Sequence, residues 1–215
     1  TVHQDTGATE GADVRVGMNL SSNNTVGIEQ KGIENLVTID TFNANDSTID
    51  VVQTTTNATA TLTLDNALNN KIGITQYAAN TTAVVDVDYA DDNNVYLTQY
   101  GAGAKAETSL MRSDDNIIGV TQFGSEVVAD VTLTNSDGNG VGVLQLGDNS
   151  TADITLDGSD SNLVLIGQYG DDSVANVALT QSEGNYVMMT QTGTDYANVT
   201  MTNSSDYNLV SITQQ

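Results

Sequence analysis

Glutamine returns at one fixed interval along almost the whole chain: Gln30, Gln53, Gln76, Gln99, Gln122, Gln145, Gln168, Gln191 and Gln214, each 23 residues after the last. A period of that length, held without insertion, restricts the fold to an array of stacked supersecondary units. Six residues before each Gln stands a second polar column: Asn24, Ser47, Asn70, Asn93, Asn116, Asn139, Asn162, Asn185 and Asn208. Between the columns, the residue four before Gln is always Val or Ile, from Val26 to Val210, and the residue two before is always apolar, from Ile28 to Ile212. Period-two alternation predicts a β-strand that turns Asn, two aliphatics and Gln toward one buried face.

A second strand follows in each unit. Ala60, Ala83, Ala106, Ala129, Ala152 and Ala175 lie seven residues after Gln, and Leu64, Val87, Leu110, Leu133, Leu156 and Leu179 lie eleven after. Gly32, Gly101, Gly124, Gly147, Gly170 and Gly193, two after Gln, mark a first arch where positive φ is expected. Asp, Asn, Ser and Gly fill a second arch. In the last full repeat Ala197, Val199 and Met201 fall one position early, which predicts a shortened first arch and a longer second one. Stacked at about 4.8 Å per turn, with the two strands facing across about 10 Å, the units form an all-β, two-sheet β-solenoid with parallel, in-register strands. Nine rungs give a rod roughly 43 Å long. The solenoid is expected over residues 14–215, after an irregular segment at 1–13.

Buried amides cost free energy unless they are hydrogen-bonded, and a repeat supplies the partner. Each Gln or Asn meets its own copy one rung above and one below. One such bond contributes about 0.5–1.5 kcal/mol net, while an orphaned buried amide costs about 1–3 kcal/mol.

Composition narrows the function. Five Lys and Arg against 28 Asp and Glu leave a net charge of −23, which repels nucleic acid and anionic lipid. With 38% hydrophobic residues, 5% aromatic, and no Trp, Pro or Cys, an ordinary compact enzyme core is not expected. The one histidine, His3, falls in the N-terminal segment, and no cysteine is present to act as nucleophile. No enzyme, cofactor or membrane insertion is expected. The chain starts at Thr1 without a Met or an apolar signal core, as a mature or trimmed chain would.

The arrangement Asn-x5-Gln-x-Gly with Ala seven after Gln, as at Asn116 to Ala129 and Asn139 to Ala152, resembles the curlin repeat of bacterial curli fibres. The resemblance spans about residues 24–214. Curlin proteins are exported across both membranes of Gram-negative bacteria and assemble into functional amyloid of the biofilm matrix. The resemblance implies a secreted, extracellular, adhesive fibre subunit. Its partners would be copies of itself, a nucleator subunit and an outer-membrane secretion channel. The eighteen residues of the Gln and Asn columns would be the stacking residues of the amyloid core. One departure is plain: the family often repeats Gln eleven after the first, where this chain has Leu or Val.

Several further expectations are specific. Asn208–Gln214 looks like a first strand without a second, and Val14, Val16 and Met18 look like a second strand without a first, because strict spacing would turn Thr1, His3 and Asp5 inward. Head-to-tail contact is therefore expected through Val14, Val16, Met18, Val210 and Ile212 in a composite rung. Asp91, Asp114, Asp137, Asp160, Glu183 and Asp206, each eight before Gln, stack along one arch. They are weak candidates for a cation ladder, and a solvated charged arch is the plainer reading. Tyr77, Tyr100, Phe123 and Tyr169, directly after Gln, should line an outer edge. An alternative function, a monomeric ice-binding or adhesive solenoid, rests on Thr75, Thr98, Thr121, Thr190 and Thr213, a rank interrupted by Leu144 and Gly167.

Overall fold

The computed structural model describes residues 11–19, 21–202 and 206–215, together with the backbone of residues 2–6. Two parallel sheets face each other, and the chain passes from one to the other at every arch. The first sheet has ten strands: β1 Val2–Thr6, β3 Thr25–Gln30, β5 Thr48–Gln53, β7 Lys71–Gln76, β9 Asn94–Gln99, β11 Ile117–Gln122, β13 Gly140–Gln145, β15 Leu163–Gln168, β17 Tyr186–Gln191 and β19 Leu209–Gln214. The second has nine: β2 Asp13–Asn19, β4 Leu36–Phe42, β6 Thr59–Thr61, β8 Thr82–Ala83, β10 Lys105–Ala106, β12 Val128–Ala129, β14 Thr151–Ala152, β16 Val174–Ala175 and β18 Tyr196–Ala197. The fold is the all-β two-sheet solenoid, with about nine turns. Among the described residues no helix is long and apolar enough to cross a membrane.

Identity of neighbouring rungs sets the register. Gln122 pairs with Gln99 on one side and Gln145 on the other, and Val120 with Leu97 and Val143. The aliphatics of the first sheet, such as Ile72, Ile74, Ile118 and Val120, meet the second sheet's Ala83, Val85, Ala129, Val131 and Leu133 in one continuous buried core. Alanine seven after Gln is buried in every rung from Ala60 to Ala175, and Val37 fills the same column in the rung before.

The second strand is shorter than its burial pattern suggests. Leu62 and Leu64, or Val131 and Leu133, are fully buried as the alternation requires. Ladder pairing nevertheless stops after two or three residues in β6 to β18. The cause is backbone conformation. Thr132, Thr134, Thr155, Leu156, Ala178 and Leu179 take positive φ, so the chain leaves the pleat while Leu133, Leu156 and Leu179 stay buried. The early placement of Ala197 matches the register, since β18 pairs Ala197 with Ala175, 22 residues back. Part of the compensating second arch, residues 203–205, lies outside the described residues.

The expectation of an irregular segment over 1–13 is corrected at residues 2–6, while residues 1 and 7–10 lie outside the described residues. Residues 2–6 form β1, paired with β3 from Val2↔Val26 to Thr6↔Gln30. That offset is 24 residues rather than 23. One extra residue shifts the register so that Val2, Gln4 and Thr6, instead of Thr1, His3 and Asp5, pair with Val26, Ile28 and Gln30. Strand β2 therefore already shares its rung with β1, and the composite rung expected from Val14–Met18 and Asn208–Gln214 loses its basis. Among the described residues β1, β2, β18 and β19 are the edge strands.

Candidate functional site

The Gln column is a continuous buried ladder. Each Gln from Gln30 to Gln191 donates its Nε2–H to Oε1 of the next, giving eight bonds of 2.8–3.2 Å. Gln53 through Gln191 are fully buried. The second Nε2–H does something the spacing did not foretell. It crosses to a carbonyl of the second sheet one rung back: Gln76 to Thr59, Gln99 to Thr82, Gln122 to Lys105 and Gln145 to Val128, at 2.6–2.9 Å. Each amide thus ties rung to rung and sheet to sheet. The carbonyl contact also fixes which way the amide is turned, since only nitrogen can face it. At the start of the ladder Gln30 Oε1 is a buried acceptor with no partner among the described residues.

The Asn column runs the other way. Asn93, Asn116, Asn139, Asn162, Asn185 and Asn208 each donate Nδ2–H to Oδ1 of the preceding Asn, at 3.0–3.1 Å. Their backbone N–H groups donate to the same oxygens at 2.8–3.0 Å. Ser47 interrupts the amide run but keeps the contact: its N–H donates to Asn24 Oδ1, and its Oγ accepts from Asn70 N–H. A third ladder escaped notice in the sequence. Ser136, Ser159 and Ser182 donate backbone N–H to the Oγ of Ser113, Ser136 and Ser159, at 2.9–3.2 Å, all buried. The signal was a column of Ala44, Ala67, Ala90 and these serines, nine before Gln.

The arch glycines work differently from expectation. Of those two after Gln, only Gly32 has positive φ. Gly101, Gly124 and Gly147 are required by close stacking, because a Cβ there would lie 1.8–2.1 Å from the carbonyl oxygen of the next rung's glycine. Left-handed residues instead occupy two other columns. One, four after Gln, holds Asn57, Asn80, Glu126 and Asn149; the other, seven before Gln, holds Asn69, Asp92, Asp115 and Ser161.

The acidic column is a hydrogen-bond ladder. The carboxylates of Asp91, Asp114, Asp137, Asp160 and Asp206 accept backbone N–H from Leu68, Asp91, Asp114, Asp137 and Glu183 at 2.6–3.1 Å. Among the described residues no three acidic or imidazole side chains converge to hold a metal ion. Burial, joined by the charges of Asp114 and Asp92, raises the Asp91 carboxyl above the usual carboxylate range, against the lowering effect of the Leu68 N–H. On the outer side of the second sheet, burial followed by Asp130 raises Asp153, and a bond from Asn176 opposes the shift. Tyr77, Tyr100 and Phe123 stack at 5.0 and 4.6 Å on the outer edge, half exposed, while Tyr169 stands beyond Leu146.

The residues expected at subunit contacts lie on edge strands. Val14 and Val16 on β2, and Val210 and Ile212 on β19, are partly buried against the core, and Met18 is exposed.

A family model of the curlin associated repeat matches residues 69–101. The chain carries a curlin repeat. The matched span holds Asn70, Gln76, Ala83, Asn93, Gln99 and Gly101, two successive turns of the column pattern. The same hydrogen bonds continue through the rungs on either side of the matched span. Comparison with curated proteins and with solved structures returns no match. The curlin repeat and the solenoid together fit a curli-like structural protein.

Proposed function

We propose that the chain is a structural subunit of a curli-like extracellular amyloid fibre, and that it polymerises by stacking on copies of itself. The reading is carried by the Gln ladder: eight consecutive bonds in which every rung is bonded to a near-identical rung. A surface that pairs with its own repeat inside the chain has the chemistry to pair with the same repeat in another copy. Asn24 to Asn208 and Gln30 to Gln214 are the core ladder residues of such a fibre. Val14, Val16, Met18, Val210 and Ile212 on the edge strands take part in the subunit contact. By family, the fibre is secreted to the surface of a Gram-negative cell, supports adhesion in a biofilm matrix, and relies on a nucleator and a secretion channel. It performs no catalysis.

Purified chain left at rest should form thioflavin-positive filaments with a meridional reflection near 4.8 Å, the rung spacing. Gln122→Ala should lengthen the lag several-fold and lower stability by about 1–3 kcal/mol, since Gln99 loses its acceptor and Gln145 its donor. Thr121→Ala, on the outer face, should do neither. A chain that remains monomeric for weeks would remove the proposal.

A further inference from the structure

The outer face of the first sheet changes character along the rod. In its early strands it carries Glu29, Asp50 and Lys71. From β11 to β19 it carries no charged residue, although the chain bears a net charge of −23. Its three outward columns there are Ile117, Gly140, Leu163, Tyr186 and Leu209; then Gly119, Gly142, Leu165, Met188 and Ser211; then Thr121, Leu144, Gly167, Thr190 and Thr213. Ile117 and Leu209 are 59% and 73% exposed. An open trough of about 400 Å³ runs along this face between Gly119, Gly142, Leu165 and Met188. A Cβ built at Gly119 would meet nothing within 4 Å.

We propose that this face binds the same face of a second copy, related by a twofold axis parallel to the strands and lying between β13 and β15, and so bundles fibres laterally. Such an axis keeps each column opposite itself and reverses the order of rungs. Met188 then comes over the open space at Gly119, Leu165 lies opposite Gly142, and Leu163 opposite Gly140. The pairing of Met188 with the open space at Gly119, made twice about the axis, supplies the self-complementarity that an isologous contact requires. Leu163 and Leu165 already lean over Gly140 and Gly142 within their own copy, and Ile117 meets Tyr186 as one apolar side chain on another. Charge argues for the same occupant. Two copies of so acidic a chain repel over most approaches, and this is a face on which neither presents a carboxylate. Four strands of six residues cover about 400 Å² per copy, so one contact buries roughly 800 Å², in the range of weak encounters. Repetition in every subunit of a fibre converts a weak contact into avidity. This inference rests on the fibre reading, and it predicts bundled fibres rather than stable dimers.

The test uses Leu165→Glu with Met188→Glu, both on the outer face. Filaments should grow at an unchanged rate but remain single, with the bundled fraction by electron microscopy reduced at least tenfold. Bundles that persist unchanged would overturn the proposal. The second arm does not require filaments. The chain has no natural cysteine, so chains carrying Thr121→Cys or Thr190→Cys can be mixed at high concentration with a short bis-maleimide. The twofold brings Thr121 opposite Thr190, and the mixture should crosslink at least fivefold more than either chain alone. Equal yields would overturn the proposed register, leaving the face to a partner of other chemistry. Absence of filaments with retained 121–190 crosslinking would defeat the fibre reading while keeping the pairing of faces.

Discussion

Thr108 stands where its counterparts are Leu62, Val85, Val131 and Ile154, and its hydroxyl is buried without a hydrogen-bond partner. Desolvating a hydroxyl with no compensating bond is unfavourable, and valine has the same shape without the oxygen. Thr108→Val should stabilise the chain by about 1 kcal/mol, raising the unfolding temperature by roughly 2–4 °C. Thermal unfolding of freshly dissolved monomer would measure it, and a loss of stability would refute the account. Which residues are inside was legible at this scale, because period-two alternation leaves no second choice for Val120 or Gln122. How their polar atoms are used was not. The bond from Gln122 Nε2 to the Lys105 carbonyl spans 17 residues, and nothing in the local sequence of either marks it.

At the scale of the element, each rung is set by how closely its arches approach the next. The glycines after Gln illustrate it: Gly124 sits with the Gly147 carbonyl 2.0 Å from where its Cβ would be, while Gly119, in mid-strand, has open space. Gly124→Ala should cost about 3 kcal/mol through overpacking against backbone that cannot swing aside. Gly119→Ala should be neutral or slightly stabilising. Denaturant unfolding of the two variants separates them, and equal midpoints would show that the arch relaxes freely. The sequence pointed to the right residue for the wrong reason, since a glycine needed for contact and one needed for positive φ look alike in a single chain. The early end of the second strand was hidden for a related cause. Leu133 is buried whether or not its backbone is paired, so alternation reports the facing of side chains and not the extent of the ladder. The N-terminal strand was missed because one extra residue before β3 inverts the parity on which alternation depends.

For the molecule as a whole, acids stacked along a rod make stability depend on pH. Asp86, Asp91 and Asp153 all have pKa values raised in the fold, with burial the first cause in each. The folded chain therefore holds protons more readily than the unfolded one, and stability from these groups falls as pH rises through the folded pKa. Acidification from neutral pH into the window between the raised values and the ordinary carboxylate value should stabilise the rod. Asp153→Asn should raise the unfolding temperature at neutral pH and flatten the gain on acidification. A temperature that drops steadily from neutral pH downward would contradict the assignment.

The two amide ladders point in opposite directions along the axis. A break at any rung within the amide run bares glutamine donors and asparagine acceptors on one fracture surface, with the reverse on the other. Pieces keep like rung on like rung only when they rejoin in their original sense, because an inverted piece lays each glutamine column over the other piece's asparagine column and sets parallel strands antiparallel. Shearing should then multiply seeds that all share one arrow.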